Sequence, residues 1–87
     1  MYRVRLLGPA TKELGQLEKP IGNRVLRRLN WLAANLDSIR PEALSGEFAG
    51  LYKLRVGDFR VVYDVLHDER VIVVHSVAHR SIVYRRG

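Results

Sequence analysis

Apolar residues in the first half of the chain follow the spacing of one strand and then of two helices. Residues 2–7 alternate apolar and charged side chains, which is the period of a half-buried strand. Gly8 and Pro9 end this strand, Pro9 suits the first turn of a helix, and residues 10–18 then have helical spacing. Pro20 interrupts the pattern and can open a second, longer helix, whose apolar stripe consists of Ile21, Val25, Leu29, Leu32 and Leu36. The pattern predicts a helix hairpin.

The second half of the chain has the pattern of a loop followed by three strands. Residues 37–50 contain Pro41, Gly46 and Gly50 and have no sustained period, which is typical of a loop. The three segments that follow are rich in β-branched and aromatic side chains, and short turns separate them. These predicted strands are residues 51–56, 59–66 and 70–77, and a polar tail of residues 78–87 follows them.

The predicted element order β-α-α-β-β-β corresponds to a two-layer α+β fold. Strands joined by short turns pair antiparallel, so the last three strands are neighbours in one sheet. We expect the helix hairpin to cover one face of a mostly antiparallel four-stranded sheet, because each apolar surface must be buried against another. Residues 1–87 contain no repeat or linker, which indicates one domain. The second face of the sheet stays open to solvent or to a ligand.

The excess of basic residues in the composition favours an anionic binding partner. The 87 residues carry 15 Lys and Arg against 9 Asp and Glu, so the formal net charge is +6. Only three of these cations are lysines, so 12 are arginines, which bind phosphate as planar forks and stack on bases. The longest uncharged stretches are eight residues, far below the roughly 20 that span a bilayer. We therefore expect a cytoplasmic protein with an anionic partner and no membrane association.

Strand alternation places several cations on the open sheet face. Lys53 and Arg55 are two residues apart on one strand, so they project from the same face. Arg60 follows a tight turn and falls close to Arg55 on the next strand, while Arg80 directly follows the last strand and can reach the same face. An anion between such cations would relieve their repulsion. The alternative is a solvated face, since an exposed antiparallel face is normally polar.

The remaining polar residues give weaker evidence of a functional site. Tyr84 carries a phenol that can stack on a base or donate a proton, but it can equally pack the tail onto the domain. His75 and His79 lie on a strand and at its exit, and their spacing there is no metal-binding signature. The sequence has neither cysteine nor a glycine-rich phosphate loop, so we expect no metal and no cofactor.

Two stretches of the second half resemble a known family. Residues 44–63 read LSGEFAGLYKLRVGDFRVVY, and residues 77–80 read VAHR, with Tyr84 and Arg85 following. Both stretches resemble the RelE/ParE superfamily of bacterial and archaeal toxins, whose element order also matches the predicted order. The resemblance covers essentially the whole chain. It implies a type II toxin that a cognate antitoxin protein neutralises.

The superfamily contains two activities. RelE-like members cleave mRNA, typically in the ribosomal A site, by attack of a ribose 2′-OH on the adjacent phosphate without a metal. ParE-like members instead inhibit DNA gyrase by binding it and are not nucleases. The basic residues favour the endoribonuclease, and the gyrase inhibitor is the alternative. A third hypothesis is an RNA-binding module that has the fold and the charge but does not cleave.

The resemblance also implies roles for individual residues. Neighbouring positive charges would favour the neutral form of Lys53, which could then act as a base. Arg55 stands where RelE has a second lysine, and it stays charged. The implied catalytic residues are Lys53, Arg60, Arg80 and Tyr84, and the implied RNA phosphate ligands are Arg55 and Arg85.

The YoeB-like branch of the superfamily uses a glutamate and a histidine near the C-terminus for proton transfer. Glu42 lies in a stretch that resembles the one carrying that glutamate, so it is a reserve base. His79 is a second reserve candidate, although it precedes Arg80 and is not equated with the histidine of that branch.

Overall fold

Two helices cover one face of a five-stranded sheet in the structure, a computed structural model that describes residues 1–81. The helices are α1 (Gly8–Gly15) and α2 (Lys19–Asn35), and the strands are β1 (Arg3–Leu6), β2 (Glu42–Ala43), β3 (Tyr52–Val56), β4 (Phe59–Leu66) and β5 (Val71–His79). Their order across the sheet is β1-β5-β4-β3-β2, and only the β1–β5 pair is parallel within the described residues. This arrangement confirms the predicted α+β fold.

Both helices begin at the residue before their proline. Pro9 and Pro20 each lie in the first turn of their helix, where the missing N–H has no intrahelical partner to lose. Pro9 thus lies in the first helical turn and Pro20 opens the second helix, as predicted. The first helix also ends at Gly15, because glycine and the residues after it do not sustain the helical conformation. Neither helix among residues 1–81 combines the length and apolar character needed to cross a membrane.

The sheet has one strand more than the four predicted. The segment predicted as a loop contains the two-residue strand β2, which pairs antiparallel with β3 through Glu42 opposite Lys53. The last strand is also longer than predicted, since Ala78 and His79 belong to β5 and not to the tail. A strand as short as β2 has too few residues to show an alternating pattern.

One irregularity in β5 changes which side chains face which side of the sheet. Val62 of β4 pairs with Ser76, but the next residue, Tyr63, pairs with Val74. His75 is therefore an extra residue, as in a β-bulge, and the alternation of side chains shifts by one after it.

The apolar core lies between the helices and the covered face of the sheet. The α2 stripe is buried as predicted at Val25, Leu29, Leu32 and Leu36. It packs with side chains from alternate positions of the strands, namely Leu54, Val56, Val61, Tyr63, Val65, Ile72, Val74 and Val77. Burial raises the pKa of Tyr63 to about 12, so its phenol stays neutral.

The edge of the fold furthest from β2 is held by contacts around Arg70. Arg70 has a φ of 54° in the turn between β4 and β5. Its guanidinium lies 3.0 Å from a carboxylate oxygen of Asp37 and 4.4 Å from the centre of the Tyr2 ring. The ion pair lowers the pKa of Asp37 below its ordinary value. These contacts join the N-terminus, the segment after α2 and the β4–β5 turn.

Candidate functional site

The open face of the sheet brings three of the predicted cations together. Arg55 of β3 lies directly opposite Arg60 of β4, as the sequence predicted. Arg80 follows β5, and its backbone N–H donates a hydrogen bond of 2.7 Å to the carbonyl oxygen of Asp58 in the β3–β4 turn. Arg55, Arg60 and Arg80 thereby line one recess of about 120 Å³, here called the arginine recess. Like charges placed opposite each other on two strands are destabilising, so this arrangement favours a bound anion.

The bulge in β5 is the reason that Arg80 reaches this recess. Val73 lies on the open face, where strict alternation would also have placed Val77 and His79. Because His75 is inserted, Val77 and His79 lie on the covered side of the sheet, and Ala78 and Arg80 take the open side. The ring of His79 accordingly meets Phe59 edge-on at 5.3 Å.

The side chain of His79 makes its hydrogen bonds with Ser81, two residues later in the chain. Its Nδ1 accepts the backbone N–H of Ser81 at 3.1 Å and lies 2.8 Å from the Ser81 hydroxyl. The structure therefore does not bring His79 together with the cations of the open face. Tyr84 and Arg85, which the sequence also suggested for the site, lie outside the described residues.

The floor beside the arginine recess is apolar. Val62 and Ala78 neighbour Arg60 on the open face and are only 5% and 6% exposed. Neither belongs to the core cluster under the helices. Charges held above such a surface interact more strongly with an anion than charges fully surrounded by water. This apolar surface lies beside the recess, whose own lining also includes Gly57, Asp58 and Phe59.

Two of the predicted cations have acidic partners. The Lys53 side chain is only 16% exposed, and its ammonium lies 3.0 Å from a carboxylate oxygen of Glu42. The Arg80 Nε lies 3.5 Å from a carboxylate oxygen of Asp58. Arg55 and Arg60 have no carboxylate within ion-pair distance among residues 1–81. The hydrogen bond from Lys53, reinforced by the charges of Lys53, Arg55 and Arg60, lowers the pKa of Glu42. Lys53 therefore has a carboxylate at hydrogen-bonding distance in addition to its cationic neighbours.

Arg24 is a cation at this site that the sequence did not suggest. A β-carbon built on Gly57, in the β3–β4 turn, would lie 2.9 Å from the Arg24 Nη1. The guanidinium of Arg24 therefore rests against the turn that carries Asp58. Only the packing of α2 beside this turn makes the contact, and no local pattern in the sequence reports it.

The sequence matches a family model described as the ParE toxin of the type II toxin–antitoxin system parDE, over residues 4–84. The chain belongs to this toxin family. It is a member of the RelE/ParE superfamily, as its motifs indicated. A curated relative, the RelE1 protein of Methanocaldococcus jannaschii, is 40% identical to the toxin over 35 residues, which are 40% of this chain and 39% of that relative. The matched part thus spans about two-fifths of the relative's length.

Solved structures share the fold of the toxin. A chain of the toxin–antitoxin complex RelBE2 from Mycobacterium tuberculosis superposes with a TM-score of 0.80 at 26% identity, covering 91% of this chain and 98% of that chain. The archaeal RelE–RelB complex from Pyrococcus horikoshii gives a TM-score of 0.69 at 26% identity, covering 94% and 98%. The isolated RelE toxin of E. coli gives 0.77 at 23% identity, covering 99% and 88%.

Proposed function

We propose that this toxin is an endoribonuclease that cleaves mRNA in the ribosomal A site without a metal ion and so inhibits translation. The observation that carries the proposal is the arginine recess, where Arg55, Arg60 and Arg80 converge beside the β3–β4 turn. Fixed positive groups aimed at developing charge usually make the largest single contribution to such a reaction. Three guanidinium groups can supply that charge to a phosphodiester.

The proposed step is an internal transfer at one phosphodiester of the RNA. The ribose 2′-oxygen loses its proton to a base and bonds to the adjacent phosphorus, while the bond from phosphorus to the 5′-oxygen breaks. The leaving 5′-oxygen takes a proton. The products are a 2′,3′-cyclic phosphate and a 5′-hydroxyl end. DNA lacks the 2′-hydroxyl and would not react.

The Glu42–Lys53 pair is proposed to supply both proton transfers. Glu42 is a carboxylate at neutral pH and can accept the proton of the 2′-hydroxyl, and its lowered pKa makes it a weaker base than an isolated glutamate. The Lys53 ammonium, 3.0 Å away, can then donate a proton to the 5′-oxygen. Tyr84 is proposed to stack on a base beside this step, and Arg85 to bind a flanking phosphate. His79 has no role in this scheme.

The acidic partner of Arg80 does not prevent phosphate binding. Both side chains of the Arg80–Asp58 pair are mostly exposed, and ion pairs of this kind contribute only about 0–1 kcal/mol. A phosphate that accepts hydrogen bonds from several guanidinium groups at once forms stronger, charge-assisted contacts. We therefore expect RNA to displace Asp58 from Arg80.

Inducible expression tests the proposal. The native chain should arrest growth, and sequencing of RNA ends should show cuts within translated mRNA. An Arg60→Ala, Arg80→Ala double variant should permit growth and leave the mRNA ends unchanged, while an Arg27→Ala variant, changed on α2, should behave as the native chain does. Growth arrest by the native chain with intact mRNA would contradict the proposal.

Inhibition of DNA gyrase by protein binding is the second candidate, because the matching family model is that of the ParE toxin. Under it the open-face cations would bind an acidic protein surface. DNA breaks covalently linked to gyrase in the arrested cells would favour this candidate. Under either activity we propose an antitoxin as partner, since the related M. tuberculosis and P. horikoshii structures are toxin–antitoxin complexes.

A further inference from the structure

A second basic groove lies between α2 and the β2–β3 edge of the sheet. It has a volume of about 320 Å³, and its charged lining consists of Arg28, Arg40, Glu42, Lys53 and Arg55, with Trp31 beside Arg28. Here we call it the Trp31 groove. It holds four cations against one carboxylate, so its charge complements an anion.

The groove presents an aromatic surface as well as charge. Trp31 is 41% exposed, although most large apolar side chains of this small fold are covered. The guanidinium of Arg28 lies over the Trp31 ring, 4.5 Å from its centre, so the indole and the guanidinium form a cation–π pair. Unpaired nucleobases bind to proteins by stacking on such indole and guanidinium planes.

The Trp31 groove is continuous with the arginine recess. Arg55 lines both cavities, and Lys53, two residues earlier on β3, lines the groove. An extended strand with a phosphate at Arg55 would therefore reach the groove with its neighbouring nucleotides. The apolar floor residues Leu32, Leu54 and Tyr63 are buried, which leaves Trp31 as the one large exposed apolar anchor of the groove. A peptide helix or strand would need several such anchors, whereas a base needs one flat partner.

We propose that the Arg28–Trp31 end of the groove binds an unpaired nucleotide of the substrate RNA that flanks the cleaved bond, with its base stacked on Trp31 and Arg28. This subsite rests on the proposed endoribonuclease function, because Glu42 and Lys53 of the same groove are the proposed proton-transfer pair. Stacking would position the nucleotide beside this pair and add affinity to that of the phosphate contacts.

Trp31 is the only tryptophan of the chain, so its fluorescence reports on the groove directly. The probe is a short single-stranded oligoribonucleotide with 2′-O-methyl groups, which cannot be cleaved. We expect it to quench Trp31 emission in a saturable way at low salt. An oligoglutamate peptide serves as the competing probe, because an acidic protein segment would suit the same charges.

Matched variants distinguish the contribution of base stacking to RNA binding from the contribution of charge and from loss of the fold. Binding of the labelled RNA should weaken about 5- to 100-fold in Trp31→Leu, and Trp31→Phe should restore most of it. Leu26→Ala is the control, since Leu26 lies on the same helix, is also 41% exposed and does not line the groove. Arg28→Lys should weaken binding more than Arg27→Lys, because only Arg28 stacks on the ring. Thermal unfolding of each variant checks that the fold is kept.

The outcomes distinguish failure of the proposed subsite from failure of the proposed endoribonuclease function. RNA cleavage with unchanged Trp31 emission, or with Trp31→Leu binding RNA as Leu26→Ala does, would overturn the subsite and leave the proposed function intact. Quenching by oligoglutamate but not by RNA would also overturn it, in favour of an acidic protein partner. A chain that neither binds nor cleaves RNA would overturn both.

Discussion

Replacement of Arg80 by alanine separates catalysis from folding. In the folded chain the Arg80 side chain makes one ion pair, at 3.5 Å to Asp58, with the two side chains 69% and 66% exposed. Such a pair contributes about 0–1 kcal/mol to stability. The hydrogen bond from the Arg80 backbone N–H to Asp58 does not involve the side chain and would remain. The free energy of unfolding should therefore fall by no more than about 1 kcal/mol.

The cleavage rate should fall much further in the same variant. A fixed donor that stabilises charge in a transition state contributes about 2.7–4 kcal/mol, which corresponds to a rate factor of about 10²–10³. The assay is single-turnover cleavage of ribosome-bound mRNA, with urea unfolding measured on the same preparations. Arg27→Ala removes an equal charge from the exposed surface of α2 and serves as the control. A cleavage rate of Arg80→Ala equal to that of Arg27→Ala would refute the role given to the arginine recess.

Three further predictions concern stability. The Glu13 carboxylate accepts the Val77 N–H at 2.9 Å, so Glu13→Ala should lower the free energy of unfolding by about 1–3 kcal/mol, and Glu13→Gln by much less. Gly57 has a φ of +58°, so urea unfolding of Gly57→Ala should show a loss of about 1–2 kcal/mol. The pKa of Asp37 is held below 3.8 by Arg70, so this carboxylate contributes stability above pH 3.8 that is lost as the pH falls through its lower folded value. Asp37→Asn should therefore flatten the acid limb of the stability curve, and an unchanged limb would contradict the pairing.

The spacing of apolar residues along the sequence predicted the elements whose form depends on neighbouring residues. Strand β4 occupies residues 59–66 as expected, because its alternation runs between two clear turns. The facing pair Arg55 and Arg60 followed from the same hairpin, whose two-residue turn fixes the register. The buried stripe of α2 followed from its spacing of three and four residues.

The remaining features depend on contacts between distant segments. Strand β2 forms only because Glu42 and its neighbour can pair with β3, and the same pairing brings Glu42 beside Lys53. The bulge at His75 shifts the alternation of β5, and this shift decides that Arg80 and not His79 faces the open side. No periodic pattern in a single sequence contains either event.

Substitution of one 2′-hydroxyl tests the central claim most directly. The substrate is a ribosome-bound mRNA cut at a mapped site, and its counterpart has a single deoxynucleotide on the 5′ side of that bond. We predict that the all-ribose mRNA is cut to a 5′ fragment with a 2′,3′-cyclic phosphate, and that the deoxy-substituted mRNA stays intact at this bond. Equal cutting of the two mRNAs, or no cutting of either, would contradict it.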